Sequence, residues 1–211
     1  HTIYNRILEL TTLKDHPFNS DRFTHNLLRD PMPVRDSRWQ EYFRYYSQAD
    51  DQGNAYPLRR LIDWAWQSGI SGKLDSETVR LTAQTLCWVL SSTYRQLRDQ
   101  VTKAMVNLLE EQVEALIYIL KKFETIDDAY IAERLYAVAY GCALRTSNIH
   151  SLAQLAQYVY DRNFSSGNPP LHVLLRDYAR NIVEYAIHRQ APVTVDLALT
   201  MPPYNSRMPE S

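Results

Sequence analysis

RDQVTKAMVNLL at residues 98–109, ERLYAVAYGCAL at 133–144 and RDYARNIVEYAI at 176–187 are three versions of one helical pattern. Each carries an acid, Asp99, Glu133 or Asp177, followed two residues later by an apolar Val101, Leu135 or Ala179. The acids are offset by 34 and then 44 residues, within the range of periods at which two-helix units repeat. Each stretch lies in the second helix of an expected two-helix hairpin. The spacing predicts six helices, at about 76–91, 94–109, 112–124, 128–145, 151–163 and 171–189, paired into three hairpins by short polar gaps. Thr93 with Gln96, and Ser151 with Gln154, fit capping-box spacing. Leu97, Val101, Ala104 and Leu108, and then Leu135, Val138 and Cys142, fall on the faces expected to be buried. Gly141 inside its helix costs about 1 kcal/mol relative to alanine, a cost that close helix approach would offset.

Upstream, apolar residues at helical spacing run from Ile3 to Leu13 and end at His16-Pro17, and a short helix is expected over Ser20–Leu28. Pro31 and Pro33 then break the chain. Ser37 and Gln40 form a further capping box, opening a helix with Trp39, Phe43 and Tyr46 on one side. Asp50–Asn54 reads as a loop. Pro57 suits the first turn of a helix over Leu58–Gln67, with Leu61, Ile62, Ala65 and Trp66 inward. After Gln190 the prolines Pro192, Pro202, Pro203 and Pro209 forbid a helix, so the tail is expected to run extended. The resulting expectation is an all-α chain: stacked antiparallel helical hairpins, a HEAT-like α-solenoid with an extended Pro-rich C-terminal tail. It comprises an N-terminal helical segment (1–74), three hairpins packed on it (75–190) and a connector (191–211). A single hairpin cannot bury its apolar face, whereas stacked hairpins share a continuous core. An irregular helical bundle is the rival.

With 211 residues, 45% hydrophobic and 22% charged, the chain is long enough to bury a sizeable core. A net charge of −1 and the lack of a basic stripe argue against nucleic acid as partner. The longest near-apolar run, Leu135 to Leu144, is too short to cross a bilayer. The two cysteines, Cys87 and Cys142, lie in apolar helical stretches and read as buried thiols of a cytoplasmic protein. The chain begins at His1 without a signal peptide, and both ends read as the middle of a longer protein.

Little of the sequence points to chemistry. Gly69–Leu74 lacks the glycine spacing and the hydroxyl after Lys73 that a phosphate loop requires, so it reads as an inter-helix loop and no cofactor is expected. The six histidines form no short ligand pair, so no metal site is expected. No nucleophile elbow is present, and no catalytic residue is assigned. The acid pairs Glu110-Glu111 and Asp127-Asp128 read as helix-start charges. Tyrosine is in excess, with 15 copies. Tyr136 and Tyr140 lie four apart, Tyr178 and Tyr185 seven apart. These residues either pack half-buried or form an amphipathic contact surface. On the three second helices the expected exposed residues are Lys103 and Asn107, Tyr136 and Tyr140, and Arg180 and Glu184. This mixture of aromatic area and both signs of charge suits a protein partner, with Tyr136, Tyr140 and Arg180 the expected hot spots.

HPFNSDRF at 16–23, MPVRD at 32–36, LRRLIDWAW at 58–66, SSTYRQLRDQVTKAMVNLL at 91–109, ERLYAVAYGCAL at 133–144 and PPYNS at 202–206 resemble, in order over nearly the whole chain, segments of the large bacterial STAND NTPases of the antiviral Avs type. The resemblance implies a place in the helical sensor region beyond the ATPase core. That region binds a phage protein, such as the large terminase or the portal, and triggers ATP-dependent oligomerisation that releases an effector. Neither the nucleotide site nor an effector motif lies within these residues, so no enzymatic activity is expected of them. A general HEAT-like scaffold without a defence role is the alternative, and an all-α enzyme with a site gathered from distant residues is a third reading.

Overall fold

The computed structural model describes residues 2–44, 55–71 and 74–204. Among them lie ten α-helices: α1 (Thr2–Thr11), α2 (Ser20–Leu28), α3 (Met32–Phe43), α4 (Pro57–Ser71), α5 (Ser76–Val89), α6 (Arg95–Leu109), α7 (Val113–Lys122), α8 (Ala129–Arg145), α9 (Ile149–Asn163) and α10 (Val173–His188), followed by a 3₁₀ turn at Leu197–Thr200. There is no strand among the described residues, and the chain is all-α. Tyr46 and the Asp50–Asn54 loop fall outside the described residues.

Several helix starts differ from expectation, because a side-chain cap competes with other partners for the same oxygen. Pro31 stands in the expected break, as the extended N-cap of α3, but Pro33 does not interrupt the chain: α3 begins at Met32, with Pro33 in the first turn, where its missing N–H costs nothing. Ser37 is therefore interior to α3, and Gln40 instead reaches across to the loop before α6. Its amide donates to the Ser91 carbonyl at 3.2 Å and accepts from the Thr93 N–H at 3.1 Å. Thr93 thus does not cap α6, whose N-cap is Tyr94 without a side-chain bond. Likewise α9 is capped by Asn148, which accepts from His150 and Ser151, rather than by Ser151. Gly69, Ile70 and Ser71 belong to α4 rather than to a loop. Trp66 is exposed instead of inward. Glu110 closes α6, where it pairs with Arg145 at 2.5 Å, while Asp128 caps α8 as expected.

The helices lie in two rows. α4, α6, α8 and α10 pack side by side in that order, and so do α2, α5, α7 and α9. Within each row the partners advance together along both helices, so neighbours run parallel. Between α6 and α8, Arg134 bonds Asp99 at 3.0 Å, the Cys142 thiol donates to the Val106 carbonyl at 3.8 Å, and Arg145 bonds Asn107 at 2.7 Å. Between α5 and α7, Arg80 covers the Tyr118 ring at 4.8 Å and Trp88 meets Phe123 edge-on at 5.1 Å. Between α7 and α9, Lys121 lies over Tyr158 at 5.6 Å and Arg162 pairs with Glu124 at 2.6 Å. The short connections reverse the chain between rows, so each row collects alternate helices.

One apolar core fills the space between the rows. The expected core residues Leu97, Val101, Ala104, Leu108, Leu135, Val138 and Cys142 are all buried in it. Both cysteines are free and buried, and burial pushes both thiols up. At Gly141 an added Cβ would meet the Cγ2 of Val106 at 2.6 Å, and a β-branched neighbour cannot swing aside. Gly141→Ala is therefore expected to destabilise by about 1 kcal/mol, although alanine gains about 1 kcal/mol of helix propensity. In a Val106→Ala background the sign should reverse, with Gly141→Ala stabilising. Urea unfolding of the four proteins of this cycle is the measurement, and destabilisation that persists in the Val106→Ala background would show that the close approach is not the cause.

Within the second row, α2 and α5 are also tied through charges. Arg80 of α5 bonds Asp21 of α2 at 2.7 Å and Glu77 at 2.6 Å, and these bonds hold both carboxyls below their usual range. A depressed folded-state pKa adds stability above the unfolded value that is lost as pH falls through the folded value. The contribution is thus present at neutral pH and fades below about pH 4. Arg80→Met is expected to flatten this acid limb. Denaturant midpoints at neutral pH and near pH 3 check it, and an unchanged acid slope would exclude the network as its source.

Candidate protein-interaction surface

The sequence-predicted contact residues divide into two groups. Lys103 of α6 is exposed. Tyr140 of α8 is half-buried, and its ring lies 6.1 Å from that of Tyr178 on α10. Further along the same seam the Tyr185 hydroxyl donates to the Leu144 carbonyl at 3.5 Å, and Arg189 donates to the Tyr185 oxygen at 2.9 Å. Leu144 is exposed beside them. Tyr140, Tyr178, Tyr185 and Arg189 therefore form an aromatic strip with a cation at one end, along the outer junction of α8 and α10. Rigid rings of this kind provide contact area at low entropic cost. Tyr178 and Tyr185 carried a sequence signal in their seven-residue spacing. Arg189 carried none, because it lies at the helix end, where register no longer assigns a face.

The other predicted residues make contacts with neighbouring elements. Asn107, expected to be exposed, is buried: it donates to the Trp66 carbonyl at 3.1 Å and accepts from Arg145, joining α4, α6 and α8. Tyr136 turns toward α9. Its oxygen accepts from the Asn163 amide at 2.8 Å, and burial raises its hydroxyl pKa. One helical turn separates it from Tyr140, yet it belongs to the inter-row packing. Arg180 lies between Asp177 at 3.7 Å and Glu184 at 3.5 Å, with Tyr204 of the tail a further partner. Arg180 thus sits on the side of α10 that meets the tail, while the Glu184 side chain stays partly exposed beside it.

The tail takes the place at which another helix of the row would lie. The Gln157 side chain grips the Thr194 backbone from both ends, accepting from its N–H at 2.8 Å and donating to its carbonyl at 3.1 Å. The Tyr160 oxygen accepts from the Asp196 N–H at 3.1 Å. Val193, Val195 and Leu199 pack on the core, and Arg176 lies 4.3 Å over the Tyr204 ring. The segment is extended as expected over 191–196, but Asp196 caps a 3₁₀ turn that buries Thr200.

Further concave regions occur among the described residues. One, of about 800 Å³, lies between α7 and α9, with Tyr118, Lys121 and Tyr158 in its wall. Another lies at the opposite end of the molecule, between α1 and α2. Among the described residues no three His, Cys, Asp or Glu side chains converge as metal ligands would, and no helix is long and apolar enough to cross a membrane. Comparisons with protein-family models, curated proteins and solved structures gave no match.

Proposed function

We propose that this chain is a HEAT-like helical-repeat scaffold that recognises a protein, and that it forms part of the phage-protein-sensing region of a cytoplasmic Avs-type STAND NTPase. The observation that carries the scaffold reading is the recurrence of equivalent contacts between successive helices of a row. Trp88–Phe123 between α5 and α7 are separated by 35 residues, Asp99–Arg134 between α6 and α8 by 35, Lys121–Tyr158 between α7 and α9 by 37 and Tyr140–Tyr178 between α8 and α10 by 38. A near-constant interval supports a regular stacking of two-helix units, and stacking of this kind builds an extended surface for a partner. The α8–α10 strip supplies amphipathic area on that surface. The sensor role rests on the resemblance of LRRLIDWAW at 58–66 and ERLYAVAYGCAL at 133–144 to the antiviral family.

The test is direct binding of the chain to purified phage large terminase and portal proteins. Micromolar or tighter binding of one of them is expected. With neither bound, while other proteins are, the chain is a general scaffold and the defence reading fails.

A further inference from the structure

Helix α1 carries two apolar stripes. Tyr4, Leu8 and Thr11 face inward: Tyr4 packs 4.9 Å from Trp39, and Leu8 and Thr11 are buried. Ile3, Ile7 and Leu10 recur at the same i, i+4, i+7 spacing on another side. They line, with Phe18 and Phe23, a trough between α1 and α2 of about 520 Å³. It adjoins a second hollow of about 620 Å³ that shares Ile3, Ile7 and Phe23 and reaches Trp39. Both lie within the range of pockets that accept ligands, roughly 300–1,000 Å³. A surface helix normally needs one apolar stripe. Here the second has no partner, and it leaves Ile3 74% and Phe18 60% exposed. A contiguous apolar patch of this kind marks an interaction site.

The rim specifies the partner. The charged side chains lining the two hollows are Arg6, Arg22 and Arg38, with no carboxylate among the lining residues. Arg6 and Arg38 spend part of their charge on Glu9 and Asp30. Arg22 makes no ion pair within the described residues. Shape separates two classes of partner. A membrane surface requires apolar side chains that protrude, whereas Ile7, Leu10 and Phe23 are half-buried along a trough between two helices, the form that accepts an amphipathic helix through anchors at i, i+3, i+4 and i+7.

We propose that the α1–α2 trough is a docking site for an amphipathic helix of a partner protein, one whose apolar stripe is flanked by acidic residues. The site lies on α1 and α2, apart from the α8–α10 strip, and does not depend on the sensor reading.

The experiment uses the full chain and two synthetic fluorescent helices of about five turns. Both have leucines at i, i+3, i+4 and i+7; one carries glutamates beside the stripe and the other lysines. Anisotropy titration is expected to give saturable binding of the glutamate helix, at least tenfold tighter than the lysine helix. Arg22→Glu should erase or invert that preference, and Phe18→Ser should weaken both, with circular dichroism unchanged. The peptide comparison on the unsubstituted chain stands even if a variant fails to fold. Absence of binding, or equal affinity for the two helices, overturns the proposal. So does preferential capture of the chain by anionic phospholipid vesicles, abolished by Phe18→Ser, which would make the trough a lipid contact. Sedimentation showing a dimer lost on Ile3→Asp would make it a self-contact and would overturn it equally.

Discussion

Replacing Trp88 with alanine is expected to lower the unfolding free energy by about 4–5 kcal/mol, the upper end for loss of a buried aromatic. This one side chain joins four helices. It projects from α5, donates from its indole N–H to the Thr24 hydroxyl of α2 at 3.0 Å, meets Phe123 at the end of α7 at 5.1 Å, and carries the Arg35 guanidinium of α3 at 5.5 Å from its ring centre. Thr24 and Arg35 are themselves buried. Truncation therefore leaves a cavity, a hydroxyl without its donor and a buried cation without its aromatic face, and these costs add to the lost transfer energy. Trp88→Phe separates them: it keeps most of the volume and loses the donor, and should cost about 1–2 kcal/mol. Urea unfolding measures both. A loss below about 2 kcal/mol for the alanine variant would show that the neighbouring helices close over the gap and that Trp88 is not the junction described.

The second large effect is on binding. Tyr140→Ala combined with Tyr178→Ala is expected to weaken partner binding by about 2 kcal/mol or more, roughly thirtyfold, the scale of an aromatic hot spot. Neither ring is fully buried, so the melting temperature should fall by no more than a few degrees. Tyr136→Ala serves as the contrast. Its hydroxyl is bonded to Asn163 and its ring packs between rows, so stability should fall while intrinsic affinity, corrected for the folded fraction, stays the same. If both pairs of measurements move together, Tyr140 and Tyr178 are packing residues like Tyr136, and the strip is not a recognition surface.

Legibility differed sharply between fold and site. The helices from residue 76 onward were readable to within two or three residues at each end, because each has an apolar stripe that only a 3.6-residue period can bury. The start signals misled at Ser37, Thr93 and Ser151, whose local spacing fits a capping box. In the fold, Gln40 takes the loop around Thr93, and Pro31 and Asn148 sit at the caps instead. Capping depends on which oxygen meets a free N–H first, and a long-range partner can decide that.

Helical spacing by itself determined an all-α chain, its core residues from Leu97 to Cys142, and the break into a proline-rich tail. Tertiary structure alone decided how alternate helices gather into two parallel rows, which side of α8 faces out, and where the tail lies. The physical reason is that periodicity distinguishes a buried side of a helix from an exposed one but does not name the neighbour. Tyr136 and Tyr140 share a stripe in sequence, yet one meets Asn163 of α9 and the other Tyr178 of α10. Asn107 likewise reads as a surface amide until α4 and α8 bring it the Trp66 carbonyl and the Arg145 guanidinium. A polar side chain is buried or exposed according to whether the fold supplies its hydrogen bonds, and those partners lie about forty residues away along the chain.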